Sequence, residues 1–221
     1  PYMSPERDTR HRYCENLAVM RRVSLEHGVP FWNFFNAMPF GSHDDPTESQ
    51  LRWQIHTSLA YGAKGVLYFC YWTPKGREFP KGGAIVTAEG RLTRHYDQAT
   101  RINAAVKALG PTLMKLTSTA VVRIQPKDDA TALLGGTPIR SLTPGDYLVG
   151  VFKHADGRRA VMLNNYYYDR TAWPTVAFDA DDAQVLEVSP KDGQLAPVID
   201  DSPAMEGLQV SLDSGQGRLF V

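Results

Sequence analysis

The sequence predicts an α/β fold in its first half and an all-β fold in its second half. Two helical segments of the first half are each followed by a glycine and then by a run that is apolar at nearly every position. Such runs are typical of parallel strands that are covered on both faces. Beyond a third helical segment the apolar period changes to two, with turn residues between short runs. Alternating helices and strands favour a layered α/β structure, whereas short, regularly spaced strands favour an antiparallel sandwich or barrel.

The first helix–strand unit is predicted in residues 6–38. Residues 6–27 are expected to form the helix, because apolar side chains such as Tyr13 and Leu17 recur on one side. Gly28 ends this helix, since glycine readily adopts the left-handed conformation found at helix C-termini. Residues 30–38, with the sequence PFWNFFNAM, then predict a buried strand.

The second unit, residues 47–74, has the sequence TESQLRWQIHTSLAYGAKGVLYFCYWTP. Thr47 is the expected N-cap of its helix, and Gln50 completes a capping box. Gly62 follows the helix and allows the chain to turn back. Residues 66–72 are apolar without a polar break, which again predicts a strand buried on both faces.

The third helix is predicted over residues 94–109, with Thr93 as its N-cap and Gly110 after its end. The change of period that follows places a domain boundary after residue 117. We therefore divide the chain into residues 1–117, the α/β part, and residues 118–221, the β part.

The β part is predicted to be antiparallel. A hairpin is expected around residues 154–157, because an Asp-Gly pair at its turn is a strong hairpin signal. Residues 125–144 read as a polar connection that contains glycine and proline. Strands are predicted at residues 121–124, 147–153, 159–164, 175–178, 185–188, 208–212 and 218–221.

The first half resembles a known family. The pattern LR-Q---SLAYGAKGV-YF-YW-P in residues 51–74 is similar to the last helix–strand unit of (β/α)8-barrel glycoside hydrolases of clan A, specifically the family 42 β-galactosidases. Pro1-Tyr2 resembles the end of the preceding D-x-Y-P strand of such a barrel. Ile102-Asn103 and the triplet at 109–111 resemble its closing helix, while residues 118–221 resemble the C-terminal β-domain loosely.

The resemblance implies a fold and an activity. Residues 1–117 would be the last βα units of a TIM barrel, followed by an antiparallel β-sandwich. The intact protein would hydrolyse O-glycosidic bonds of a β-galactoside-like carbohydrate, without a cofactor or a metal. Its partners would be carbohydrate and either the N-terminal portion of the barrel or another chain, because two or three βα units cannot close a barrel. The alternatives for an unclosed set of strands are contacts with another chain or a flattened sheet covered by its own helices.

The catalytic pattern of the family is incomplete in this chain. Retaining glycosidases use two carboxylates about 5 Å apart, one as acid/base and one as nucleophile. The resemblance implies glutamates after barrel strands four and seven. Strand seven would be residues 30–38, which contain Asn33 and Asn36 but no acid, and no counterpart of strand four is present. We therefore expect the chain by itself to be catalytically inactive.

Four acids near the ends of the predicted strands are weak catalytic candidates, and each has a simpler explanation. Asp44 and Asp45 lie in the loop after the first strand, and Glu48 lies at the start of the next helix. Acids favour helix N-termini in any case, because the helix dipole is positive there. Glu78 lies in a loop rich in lysine and arginine, which favours a surface position.

Three other residues are candidates for binding sugar. Trp72 ends a predicted barrel strand, where side chains face the substrate, although an aromatic residue could equally cap the core there. Tyr71 should point the other way and pack. Asn36 could bind a sugar hydroxyl or tie the loop backbone. His43 could bind a ligand, but a loop histidine is more often simply solvated.

The composition excludes some functions and leaves others open. Twenty-four basic and 24 acidic residues balance, so nothing indicates nucleic acid or an anionic membrane surface. No apolar run reaches the roughly 18 residues of a membrane span. Cys14 and Cys70 are expected to be unpaired thiols. A secreted or periplasmic location stays open, as does a non-catalytic alternative, in which the chain is a carbohydrate-binding or structural module.

Overall fold

The computed structural model describes residues 9–180, 184–204 and 206–221. These residues combine helices with mainly antiparallel sheet, in agreement with an α/β part followed by a β-rich part. Among them are four helices, α1 Arg10–His27, α2 Glu48–Ala60, α3 Arg94–Leu113 and α4 Ala130–Leu133. The eleven described strands are β1 Trp32–Asn36, β2 Gly65–Phe69, β3 Leu116–Ile124, β4 Ile139–Leu142, β5 Tyr147–His154, β6 Arg159–Asn165, β7 Thr175–Phe178, β8 Leu186–Val188, β9 Leu195–Pro197, β10 Leu208–Gln209 and β11 Gly217–Phe220.

Helix α1 ends as its sequence predicts. Gly28 has a φ of 64° and donates its N–H to the Ser24 carbonyl, so it caps the helix in the left-handed conformation. Tyr13 and Leu17 are buried, which confirms the predicted apolar side. The predicted start of this helix at Glu6, like the Pro1-Tyr2 pair, lies outside the described residues.

Helix α2 is the centre of the molecule. Thr47 accepts the Gln50 N–H at 3.2 Å, and Gln50 Oε1 accepts the Thr47 N–H at 2.8 Å, which confirms the capping box. The helix contacts β1 on one side and β5, β6 and β11 on another. Because both sides are covered, α2 is buried from Leu51 to Ala60 apart from Arg52, and not only along its predicted apolar stripe.

Strands β1 and β2 pair in parallel, as predicted, with Trp32 opposite Gly65 and Asn36 opposite Phe69. Both strands are shorter than the predicted apolar runs. Asn33 and Phe35 point towards the helices and are buried. The predicted burial of both faces is wrong, since most side chains on the opposite face are partly exposed, although Asn36 is buried. Trp32, Phe34 and Leu67 expose 57%, 42% and 43% of their surface, because no described element covers that face.

Helix α3 begins at Thr93, whose side chain accepts the His95 N–H, and this confirms the predicted N-cap. The predicted end at residue 109 is wrong. The helix continues through Gly110 and Pro111 to Leu113. Leu109 and Leu113 are both buried, so packing of one more turn outweighs the weak helix propensity of glycine and proline.

The β part is antiparallel, with β5 and β6 forming the predicted hairpin. The described strands form a six-stranded sheet in the order β3-β5-β6-β11-β8-β9 and a three-stranded sheet in the order β10-β7-β4. Sequence analysis missed the short elements α4, β4 and β9. Ile139 and Leu142 of β4 are nevertheless buried at its two ends.

Two apolar clusters organise the interior. One lies between the six-stranded and three-stranded sheets and includes Val149, Leu163 and Val176. The other joins the opposite face of the six-stranded sheet to the helices, and it includes Ile55 and Phe152. The second cluster therefore draws residues from both sides of the predicted boundary after residue 117.

Candidate functional site

The loops that follow β1 and β2 lie together at the carboxyl ends of the two parallel strands. The Ala37 N–H donates to the Phe69 carbonyl at 2.7 Å, which joins the starts of the two loops. Farther along, the Val86 N–H donates to the Tyr71 carbonyl at 2.7 Å, and the Thr73 N–H donates to the Val86 carbonyl at 2.8 Å. The long second loop is thereby folded back on itself. In α/β barrels this edge of the sheet carries the active site.

Four phenylalanines form an aromatic floor under these loops. Phe69 contacts the other three, and its ring centroid lies 5.6 Å from that of Phe34, 4.8 Å from that of Phe40 and 6.0 Å from that of Phe79. Phe40 and Phe79 come from different loops, and sequence analysis did not single them out. Only their position after consecutive strands could have signalled that the two residues meet.

Trp72 follows β2 and exposes 51% of its surface. Its backbone pairs with Val86, and the ring approaches Gly90, where an added Cβ would lie 3.7 Å from the indole. Trp72 is therefore held at its base and open on the remainder of the ring. Tyr71, which we expected to pack, is 60% exposed instead, because no described element covers it.

Asn36 and His43 serve the structure of the first loop. Asn36 is buried, and its Oδ1 accepts the Met38 N–H at 3.2 Å. The side chain of Gln54 on α2 accepts the Asn36 N–H at 3.3 Å and donates to the Asn36 carbonyl at 3.0 Å. The His43 ring lies 4.7 Å from the Phe40 ring, and the two residues exchange backbone hydrogen bonds. Asn36 thus ties the loop backbone, the alternative noted for it above.

Asp45 connects the first loop to α3. It accepts hydrogen bonds from Arg94 at 2.6 Å and from the buried His95 Nε2 at 2.7 Å. Partial burial opposes ionisation of Asp45, but the hydrogen bonds from these two residues outweigh it, so its pKa lies below the ordinary value. Asp45 is therefore an ionised carboxylate that fixes the start of α3.

Glu48, the first residue of α2, makes a second connection to α3. Arg101 donates to both of its oxygens, at 3.1 and 2.8 Å, and Arg52 lies 3.7 Å away. The hydrogen bonds from Arg101 lower the pKa of Glu48, and the positive charges of both arginines act in the same direction. Within the described residues, Asp44 and Glu78 form no ion pair, and Glu78 is exposed.

The surroundings of Asp45, Glu48 and Trp72 suit the binding of a sugar better than acid catalysis. A general acid in a glycosidase needs a raised pKa, whereas the pKa values of Asp45 and Glu48 are lowered. The arginines that neutralise these carboxylates also occupy their oxygen atoms. An exposed tryptophan on a fixed backbone, in contrast, offers a flat apolar surface that a sugar ring can cover.

Comparisons with known proteins leave the family open, because no protein-family model and no curated protein matches this chain. Both cysteines are free. In the described part of the chain, no helix is long and apolar enough to cross a membrane. The same residues contain no group of three or more histidine, cysteine or acidic side chains placed to hold a metal ion.

Proposed function

We propose that this chain is the C-terminal part of a carbohydrate-active protein that resembles the family 42 β-galactosidases. In this proposal, the parallel β1–β2 unit belongs to a (β/α)8 barrel, and the antiparallel sheets form a β-sandwich behind it. The observation that carries the proposal is Trp72, half exposed at the carboxyl end of a parallel strand. Sugar rings stack their C–H faces on such aromatic surfaces.

The role of this chain in the proposal is to bind substrate, while the chemistry needs carboxylates from elsewhere in the barrel. Asp45 and Glu48 are engaged by arginines, and β1 carries no acid. Two carboxylates about 5 Å apart on opposite sides of a glycosidic bond are the minimum for retaining hydrolysis. The chain by itself is therefore expected to bind galactosides without cleaving them.

The open face of β1 and β2 supports the barrel part of the proposal. Trp32, Phe34 and Leu67 point away from the helices and remain partly exposed. Among the described strands, β1 and β2 pair only with each other, so each has one unpaired edge. Further parallel strands of the same barrel would pair with these edges and cover the apolar face. Another chain that supplies those strands is the alternative, which reconstitution with separately expressed barrel segments would reveal.

The direct test is calorimetric titration of galactose and lactose into the wild-type chain and into Trp72→Ala. Loss of the indole should weaken binding at least about tenfold, equivalent to about 1.4 kcal/mol. Trp173→Ala is the matched control, because Trp173 is similarly exposed, at 63%, but lies just before β7 of the β part. This control should bind sugar as the wild type does.

Two results would contradict the proposal. Equal binding by Trp72→Ala and the wild type would remove the sugar subsite from this strand end. Equal losses in both tryptophan variants would indicate nonspecific contact with exposed indoles. Circular dichroism of each variant separates these results from loss of folding.

The second candidate is a non-catalytic carbohydrate-binding or structural module derived from a glycosidase barrel. The engagement of Asp45 and Glu48 by arginines favours it. The two candidates differ in a longer protein that includes the other barrel strands. A glutamate after the fourth strand, together with turnover of aryl β-galactosides, would support the enzyme. Sugar binding without turnover would support the module.

A further inference from the structure

A cavity of about 280 Å³ lies at the amino ends of the parallel strands, opposite the loops that carry Trp72. It is bounded by the C-terminus of α1, the loop that enters β1, the loop between α2 and β2, and the start of β3. Its walls combine apolar side chains with two cations, Arg21 and Lys64. The volume is just below the range of about 300–1,000 Å³ that is usual for ligand pockets, so it suits a molecule of few atoms.

Among the described residues, Arg21 and Lys64 have no acidic partner. Arg21 Nε donates to Ser118 Oγ at 2.7 Å, and Lys64 Nζ donates to the Leu113 and Leu116 carbonyls at 2.6 and 2.5 Å. Neither side chain forms an ion pair with a described residue, and none of the described residues that line the cavity carries a carboxylate. Burial lowers the pKa of both groups, and no neighbouring carboxylate raises either one.

Unused hydrogen-bond donors remain on both side chains. A guanidinium has five N–H groups in a planar fork, and an ammonium has three. The bonds described above use Nε of Arg21 and two of the Lys64 protons. The Nη groups of Arg21 make no hydrogen bond within the described residues, so the fork that would fit a carboxylate is open.

The charges around the cavity indicate the charge of a ligand that would fit it. The two cations contribute two positive charges. Helix α1 ends at the cavity with its cap Gly28, and α3 ends at Leu113, whose carbonyl accepts from Lys64. The dipole of each helix places about half a negative charge at this end. The remainder is about one positive charge, which a monoanion would neutralise and a dianion would exceed.

We propose that this cavity binds a small monocarboxylate, with its carboxylate between Arg21 and Lys64. The apolar body of the ligand would lie against Leu25, Val29 and Phe31, which line the same cavity. This site lies at the amino ends of β1 and β2, whereas Trp72 follows the carboxyl end of β2. It therefore does not depend on the proposed sugar site.

The test is an NMR titration of the full chain with isobutyrate, followed through the amide signals of Gly28, Gly62 and Ser118. Isobutyrate should give saturable shifts. Isobutyramide has nearly the same shape without the charge and should give none, and sulfate should bind more weakly than isobutyrate. Arg21→Gln should weaken isobutyrate binding at least about tenfold. Arg22→Gln is the matched control, since the neighbouring Arg22 pairs with Glu26 and does not line the cavity.

Lys64→Gln provides a second variant in case Arg21→Gln does not fold. Glutamine keeps an N–H donor for the carbonyls at the end of α3 but removes the charge, so isobutyrate binding should again weaken. Absence of saturable shifts in the wild type would overturn the proposal. Equal affinity for isobutyrate and isobutyramide would do the same, as would unchanged binding by the folded charge-removing variants.

Discussion

At the scale of single residues, His56 on α2 is the clearest case of a side chain governed by its surroundings. It is buried, and its Nδ1 accepts the Gly217 N–H at 2.9 Å. The same Nδ1 also lies 3.2 Å from the Gly215 carbonyl oxygen. Burial lowers the pKa of His56 from 6.5 to about 4; the hydrogen bond with the Gly215 carbonyl opposes this shift, and the nearby Arg52 adds to it.

This shift predicts a loss of stability in acid. Between pH 6.5 and pH 4 the unfolded chain binds a proton at His56 that the folded chain does not, so the free energy of unfolding falls as the pH falls. The pKa difference corresponds to about 3 kcal/mol over this interval. Urea unfolding at a series of pH values measures it. His56→Asn keeps an acceptor near Nδ1 and should flatten the pH dependence in this window.

The control is His11→Asn, because His11 is exposed on α1. That variant should retain the wild-type pH dependence. If His56→Asn and the wild type lose stability in parallel between pH 6.5 and pH 4, another group is responsible. The sequence marks His56 only as one residue of a predicted helix, because its partner Gly217 lies 161 positions away.

The candidate acids show the same limit of local information. Asp45 and Glu48 were identified from their places near a helix start, which the structure confirms for Glu48 as the first residue of α2. Their partners Arg94 and Arg101 come from α3, about 50 positions later. The spacing of residues along the chain does not reveal such pairs, so the ionised, engaged state of both acids became visible only in the folded chain.

At the scale of elements, the packing of α2 on β5 depends on one glycine. A Cβ at Gly150 would lie 2.4 Å from the Ala60 carbonyl oxygen. Gly65 in β2 is also close to a neighbour, but there a Cβ would meet the Trp32 ring at 2.5 Å. The difference is that Ala60 belongs to a buried helix, whereas the exposed Trp32 side chain can move aside.

Substitution by alanine should separate these two contacts. Gly150→Ala must push α2 away from the sheet, and overpacking of this kind costs about 1–3 kcal/mol or more. Gly65→Ala should cost less, because only one exposed ring has to rotate. Chemical unfolding of both variants makes the comparison. Equal stability of Gly150→Ala and the wild type would mean that the helix and the sheet can separate without loss.

Elements were predicted well where a local chemical signal exists. The capping box of Thr47, the N-cap at Thr93 and the left-handed Gly28 are contacts between neighbours in sequence. The end of α3 was missed because Leu113, beyond the expected end at residue 109, is buried by distant parts of the chain. The short strand β4 was missed because its burial comes from pairing with β7.

At the scale of the whole molecule, the helices and the six-stranded sheet share one core. Phe152 of β5 and Ile55 of α2 belong to the same apolar cluster. A shared core couples the stability of the two parts, so the α/β part and the β part should unfold together, although sequence analysis divides them after residue 117.

Phe152→Ala tests this coupling. Truncation of a buried phenylalanine costs about 3–5 kcal/mol, and hydrogen exchange should show the loss at α2 amides as well as at β5 amides. Leu133→Ala on α4 is the control, since Leu133 is partly exposed and should cost little. Faster exchange confined to the β part would show that the two parts open independently.

The sequence by itself determined the order and kind of the main elements, because caps, periodicity and turns depend on residues a few positions apart. It also placed Trp72 near the carboxyl end of the second parallel strand, although that strand ends at Phe69 and not at residue 72. Tertiary structure alone decided which faces are covered. It left one face of β1 and β2 open, engaged Asp45 and Glu48 with arginines of α3, and brought Arg21 and Lys64 together at one cavity. These outcomes depend on contacts between distant segments, which form only when the chain has packed.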